Sequence, residues 1–356
     1  MDTLDRERVT KILSAAAAAP SGDNSQPWRF VVQGSSIEFH YLPEKDHPIL
    51  NYEESGTLIA LGAAIQNAEL EAMSQGYIPQ TTFRESGSCV AVMELREGGR
   101  EDEAFAPLQQ AIFKRHSNRK AYADIPLSPE AKSALLSSSL VEDAGLKLSL
   151  IESRESMKVV SRALTTMEET ALGNKNLHEL FFGDILWSDA ENRAGKQGLY
   201  IKTLELPPPA QAMFRLLKHW RFAGFLAKLG FPRMVAETNA KQNASASAFG
   251  VITATGSGRA TYLEVGKLME RLWLAATAQG LSMQIVTGIT FLARSLRVPE
   301  VAQLFNPVEQ KRIMTAHALI KKSVDETREP ILIFRIGTGE APTEVSYRRV
   351  PEVVFK

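Results

Sequence analysis

The sequence predicts an α+β protein whose plan is laid down twice in one chain. Length is the first observation, because 356 residues at roughly 150 per domain make about two units. An internal repeat is the second. Residues 57–76 read TLIALGAAIQNAELEAMSQG and residues 261–280 read TYLEVGKLMERLWLAATAQG. A shift of 204 superposes Thr57 on Thr261, Gly62 on Gly266, Ile65 on Met269, Leu70 on Leu274, Ala72 on Ala276, Gln75 on Gln279 and Gly76 on Gly280. Two unrelated amphipathic helices share Leu and Ala cheaply, whereas paired Gly and Gln-Gly are harder to match by accident. The third observation is that helix, strand, helix, strand can be read around both copies.

In the first half a helix over 4–19 leads through a loop into a hairpin-like pair of strands at 28–33 and 37–42. The repeat helix follows, ending at Gly76, the residue type that relieves a left-handed C-terminal position, and then a strand near 89–95. In the second half a helix over 129–141 is followed by a strand at 147–151, a long helical stretch, a strand at 249–255, the second repeat helix and a strand at 331–336. The charged, Gly-containing run REGGREDE at 96–103 suits a boundary near residue 110, so the expected domains are 1–110 and 111–356. The second is longer by a helical insertion at about 155–245 containing the breaker Pro207-Pro208-Pro209. Such an insertion either pads the fold or covers a site.

Composition narrows the function classes. Forty-one Lys plus Arg balance 41 Asp plus Glu, so neither a nucleic-acid binder nor an acidic disordered chain is expected. The 44% hydrophobic and 23% charged fractions suit a globular chain with a sizeable core. Cys89, the sole cysteine, excludes an internal disulfide and points to a reducing compartment. The opening MDTLDRERVTKIL is charged rather than signal-like, and no window of about 18 apolar residues occurs, so a soluble cytoplasmic protein is expected.

Two fragments carry chemistry. At the end of the first helix stands APSGDNSQPWRF, residues 19–30, whose prolines bracket small polar residues. The loop is held stiff while Ser21, Asn24 and Gln26 are expected to offer hydrogen bonds outward. Read alone, S-G-D-N is an Asx-type turn with Trp28 as a core plug. The second fragment is Lys114-Arg115-His116-Ser117-Asn118-Arg119. In an extended segment Arg115, Ser117 and Arg119 emerge on one face, a phosphate cradle of two guanidinium forks and a hydroxyl. Taken alone, RxSxR is also an ordinary solvated charge run.

The full string APSxxNxQPWxF and the RxSxR context, with Tyr122 and Ile125-Pro126-Leu127-Ser128-Pro129-Glu130 following, resemble the signature segments of the nitroreductase superfamily of FMN-dependent oxidoreductases. The resemblance implies the nitroreductase-like fold, duplicated in one chain as a pseudo-dimer with a helical lid. In the family's homodimers each flavin takes the arginine motif from one subunit and the Pro-Ser-x-x-Asn loop from the other. Here each fragment occurs once and in inverted order, which implies one complete site between the halves. Gly288, eight residues after Gly280, matches a family glycine near flavin N5, where the first half has Arg84 at the equivalent count. The C-terminal run 337–342 followed by Tyr347-Arg348-Arg349-Val350-Pro351 resembles the family's closing elements, with Arg349 the better match for the phosphate-reaching arginine and Arg348 the fallback. The chain looks closest to the Acg-like branch of single-chain duplicated members, whose inserted helices act as a lid.

The cofactor-binding set implied by the resemblance is Pro20, Ser21, Gly22, Asn24, Gln26, Arg115, His116, Ser117, Arg119, Thr287, Gly288, Arg348 and Arg349, with no covalent catalyst. Thr287 stands where many members have Glu. The implied activity passes hydride from NAD(P)H through FMN to a planar acceptor such as a nitroaromatic or quinone. The alternative is an FMN-sequestering, stress-linked protein whose lid prevents turnover. A further homodimer is compatible with either. The six histidines lack the i, i+4 spacing of a helical metal pair, no complete GxGxxG or GxxxxGK[ST] occurs, and His116 reads as a surface or supporting histidine. Residues 210–235 hold five bases and no acids, interleaved with Phe214, Trp220, Phe222 and Phe225, and read either as a membrane-surface stretch or as a lid packing its aromatics on the protein. The second of these is the expectation, so no membrane partner is expected.

Overall fold

The computed structural model describes residues 5–45, 49–99, 105–139 and 145–356. Part of the expected boundary run, the first residues of the N-terminal helix and His47 lie outside them. The first half runs α1 (Arg6–Ala17), β1 (Trp28–Gln33), β2 (Ser36–Tyr41), α2 (Ser55–Ser74), β3 (Tyr77–Phe83), β4 (Cys89–Glu97) and a short α3 (Ala106–Ala111). The second opens with α4 (Pro129–Ser138) and β5 (Leu146–Ile151). The insertion contributes α5 (Arg154–Leu164), α6 (Thr166–Gly173), α7 (Lys175–Gly183), β6 (Ile185–Leu186), α8 (Asp189–Arg193), β7 (Leu199–Tyr200), α9 (Pro208–Leu217), α10 (Trp220–Lys228) and α11 (Phe231–Ala244). The chain closes with β8 (Ala248–Ala254), α12 (Arg259–Ala278), β9 (Ser282–Ile285), α13 (Gly288–Ser295), α14 (Pro299–Ala302), α15 (Pro307–Lys322), β10 (Glu329–Gly337) and β11 (Glu352–Phe355).

The two sheets repeat one topology. The first is ordered β11-β1-β2-β4-β3 and the second β5-β8-β10-β9. With β11 set aside, each strand takes the same place in both, and the pairs within each set of four are antiparallel. Strands β3 and β9 follow the repeat helices and lie outside the expected strands. Strand β3 contains Pro79, which an edge strand tolerates because the missing N–H leaves no ladder bond unmade. The C-terminal β11 pairs in parallel with β1, so the end of the second half completes the sheet of the first.

Helix α2 backs the first sheet, α12 backs the second, and the two helices pack on each other within one continuous core. Their crossing explains the paired glycines. A Cβ on Gly62 would lie 2.0 Å from the Leu263 carbonyl oxygen, and one on Gly266 would lie 2.1 Å from that of Ile59. The shift of 204 that carries Gly62 to Gly266 also carries Ile59 to Leu263, so each helix touches the other through equivalent atoms. Reciprocal contact of this kind is the mark of a two-fold interface, here inside one chain. Helix α1 packs on α2 and α4 on α12, extending the correspondence.

Candidate functional site

Helix α1 gives way to a 3₁₀ turn, Gly22–Asn24, in which Asp23 and Asn24 have φ of 45° and 55°, and Gln26 just beyond it has φ of 50°. Non-glycine residues occupy this left-handed region at a cost, and the surrounding bonds hold them there. Ser21 Oγ accepts from the Gln26 backbone N–H at 2.9 Å, and Gln26 Nε2 donates to the Asn24 carbonyl at 3.2 Å. The C-terminal tail supplies the rest. Arg349 N–H donates to Gln26 Oε1 at 2.9 Å, Asn24 Nδ2 donates to the Tyr347 carbonyl at 2.9 Å, and the Arg348 guanidinium donates to Asn24 Oδ1.

Two expectations change here. Asn24 and Gln26, both buried, are spent on the tail and on the loop itself rather than offered outward. The order of the two arginines also reverses. Arg349 donates to the Ser25 carbonyl and clamps the loop, while Arg348 lines the cavity. Adjacent side chains on an extended tail point to opposite sides, so only one of them can do each task.

The arginine fragment runs beside β9, with a parallel bridge from Ser117 to Met283 and a hydrogen bond from Asn118 N–H to the Met283 carbonyl at 3.1 Å. Arg335, buried on β10, holds the following residues by donating to the Lys120 carbonyl at 2.8 Å and lying over the Tyr122 ring. Arg115 Nη2 donates to the Ala18 carbonyl at 2.7 Å, its Nε lies 3.0 Å from Glu270 Oε1, and its guanidinium stacks over Trp273. It is therefore a buried, paired cation rather than a free fork. Arg119 donates to the Thr203 carbonyl at 3.2 Å, and His116 Nδ1 to that of Lys114 at 2.8 Å. Burial lowers the His116 pKa.

The two fragments meet around a cavity of about 260 Å³. Pro20, Ser21, Asn24, Arg115, His116, Ser117, Arg119 and Arg348 of the expected set line it, together with Lys114, Asp23, Glu344 and, from the insertion, Leu199 and Thr203. Gly22, Gln26 and Arg349 lie in the loop and its clamp but are not among the lining residues. Thr287 and Gly288 are not brought to the cavity. The Thr287 hydroxyl bridges the backbone of Ile333, and a Cβ on Gly288 would meet Met167 of α6 at 2.9 Å.

Charge is unevenly matched in this space. Burial and the neighbouring Arg115 both disfavour charged Arg348, against a weaker pull from Glu270. Burial raises the Glu270 pKa, with Arg115 opposing. Asp23 reaches solvent, yet the protein crowded around its carboxyl, and then Asp184, push it up to about 6 against Arg119. Glu270 is the participant the sequence reading missed, although a signal exists. The repeat places it where the first copy has neutral Gln66, and only the half with Arg115 carries the carboxylate.

Residues 1–46, which include the APSxxNxQPWxF loop, match the profile of the nitroreductase family. The chain is 23% identical over 344 residues to the uncharacterized protein MT1398 of Mycobacterium tuberculosis, covering 96% of itself and 47% of that protein. It is 26% identical over 162 residues to Rv3131 of the same species, provisionally named an NAD(P)H nitroreductase, covering 44% of itself and 45% of the relative. The chain thus spans about half the length of these curated relatives. Among solved structures it is similar to the FMN-dependent nitroreductase NfnB of Mycobacterium smegmatis in complex with NADPH, with a TM-score of 0.36 and 14% identity, covering 66% of this chain and 88% of that one.

Outside this site, Glu38, His40 and Cys89 bring ligand atoms within 4.8 Å of one another across β2 and β4, a convergence that sequence spacing does not reveal. His40 Nε2 already lies 2.8 Å from Glu38 Oε2, and burial, then Glu38, raise the Cys89 pKa against Arg84 and Arg259, which favours the neutral thiol over a metal-ligating thiolate.

Proposed function

We propose that the chain is an FMN-dependent oxidoreductase of the nitroreductase type, built as a pseudo-dimer of halves 1–110 and 111–356 with one flavin site between their unlike motifs. The observation that carries this reading is the excess positive charge of the cavity. Lys114, Arg115, Arg119 and Arg348 face it against the carboxylates of Asp23 and Glu344, with Glu270 behind Arg115. A phosphate monoester supplies the charge and the acceptors that such a donor set lacks. Arg119 and Arg348 hold the phosphate, with Arg115 as their fixed neighbour, and Ser21 and Ser117 serve the ribityl chain. Asn24 positions Arg348, and the loop clamp of Gln26 and Arg349 positions Asn24.

When bound, FMN accepts hydride from NAD(P)H and delivers electrons to a planar acceptor such as a nitroaromatic or quinone; the protein supplies binding and electrostatics. The test is the flavin content of an Arg119→Ala/Arg348→Ala variant, which leaves the Arg115–Glu270 pair intact. Colourless protein that no longer takes up added FMN is expected, and a yellow preparation at full occupancy overturns the assignment.

One observation favours a second reading, in which the protein sequesters FMN with little turnover. The cavity falls below the roughly 300–1,000 Å³ usual for ligand pockets. Leu199 and Thr203 of the insertion line it, and Met167 rests on Gly288. Stopped-flow mixing of the flavin-loaded protein with NADH and NADPH separates the readings: bleaching within seconds supports the enzyme, and persistent yellow colour supports storage.

A further inference from the structure

The helices α9, α10 and α11 are apolar on two sides. Their inner side packs Phe214, Leu217, Trp220, Ala223 and Leu226 against the aromatic cluster of α7 around Phe182. That much fits a lid packing its aromatics on the protein. It leaves the outer side unexplained, where Met213, Leu216, Phe225, Leu229 and Met234 are 37%, 53%, 59%, 69% and 57% exposed. Single exposed apolar residues are ordinary. Five between Met213 and Met234, along helices of which α9 packs on α10 and α10 on α11, are not, since soluble proteins keep exposed apolar surface small.

Charge identifies the occupant. Arg215, Lys218, Arg221, Lys228 and Arg233 are interleaved with these residues, and no acidic residue occurs between Glu205 and Glu237. The whole chain is neutral, so this is local segregation. Arg233 is paired with Glu237, and Arg215 and Lys218 lie over the Trp187 ring, while Arg221 and Lys228 form no ion pair among the described residues. A second copy seated on this face across a two-fold axis would oppose like charges. An anionic phospholipid surface satisfies both halves of the pattern: apolar side chains enter the acyl boundary while cations meet the headgroups.

We propose that the outer face of α9–α11 docks this protein on anionic membrane surfaces. The contact is peripheral, since no helix among the described residues is long and apolar enough to cross a membrane. The inference is independent of the flavin reading, because none of these side chains lines the cavity.

The test is flotation of the full-length protein with vesicles of phosphatidylcholine alone and of phosphatidylcholine mixed with phosphatidylglycerol. Co-flotation only with the mixed vesicles, weakened by added salt, is expected. Arg221→Glu/Lys228→Glu should lower the partition coefficient by at least about thirtyfold, at about 1 kcal/mol per base removed. Phe225→Ser/Leu229→Ser should abolish co-flotation with the charges intact. Unchanged thermal melting of either variant establishes that it folds, and each tests the proposal without the other. Absence of binding to the mixed vesicles, equal binding to both kinds, or a dimer in sedimentation that these substitutions abolish without any vesicle binding overturns it.

Discussion

The two halves share a strand order and a central helix, yet differ in what they place at the equivalent point of that helix. The first half has Gln66, buried, and the second has Glu270, buried and 3.0 Å from Arg115. The difference teaches that the scaffold and the site obey separate constraints. The shared glycines serve the helix crossing and occur in both copies, whereas the carboxylate serves one buried arginine and occurs once. The largest expected effect tests this point. Glu270→Gln makes the second half resemble the first and leaves Arg115 buried without its counter-ion, so it should destabilise the fold by about 3–5 kcal/mol. Urea unfolding measures it. A loss below about 1 kcal/mol would mean that the pair is no more than a neighbour contact.

The scaffold side of the comparison is tested at the crossing. Gly266→Ala places a methyl group against the Ile59 carbonyl, and Gly62→Ala does the same against Leu263, with backbone rather than a flexible side chain in the way. Each should cost about 1–3 kcal/mol by overpacking, even though alanine is the better helix former. Near-equal losses for the two substitutions sharpen the two-fold reading. A loss at one position with none at the other breaks it.

Much of this arrangement was legible in the sequence, for reasons that differ by region. The repeat helices could be read because glycine at a close crossing cannot be replaced, so the pattern survives where other positions drift. The two motifs could be read as a converging pair because each is dense in residues of one chemical purpose. What stayed hidden depends on long-range packing. Strand β11 could not be assigned to the first sheet, because parallel pairing with β1 involves residues more than 300 positions apart and leaves no local periodicity. The choice between Arg348 and Arg349 turned on which way an irregular tail faces, and spacing to Pro351 carries no such information. That Thr287 and Gly288 stand apart from the lining residues could not be read either, because Met167, which packs against that glycine, comes from an inserted helix.

The two C-terminal arginines form a second comparison, with a smaller expected effect. Arg348→Ala removes a cavity cation and should weaken FMN binding by roughly tenfold to a hundredfold, the scale of a charge-assisted hydrogen bond of about 1.5–3 kcal/mol. Arg349→Ala removes the clamp on the Ser25 carbonyl and should cost stability of about 1 kcal/mol, with the smaller change in affinity. Fluorescence titration with FMN and thermal melting, run on both variants, separate the roles. If Arg349→Ala proves the worse binder while melting normally, Arg349 and not Arg348 holds the phosphate.

The smallest effect concerns Asp23, the carboxyl on the cavity wall whose pKa is pushed up to about 6. Its folded-state value lies above its ordinary one, so the folded protein binds this proton more readily than the unfolded chain. The resulting stability is complete below the ordinary value near 4 and falls as pH rises through about 6. The same deprotonation adds a negative charge beside Arg119, and FMN affinity should therefore decline severalfold between about pH 5 and 7, less the contribution of the phosphate's own ionisation near pH 6. Asp23→Asn isolates the share of Asp23, because the variant keeps the titrations of the phosphate and of His116. Affinity measured across that range should decline for the native protein relative to the variant, and two parallel profiles would place the Asp23 proton outside the binding equilibrium.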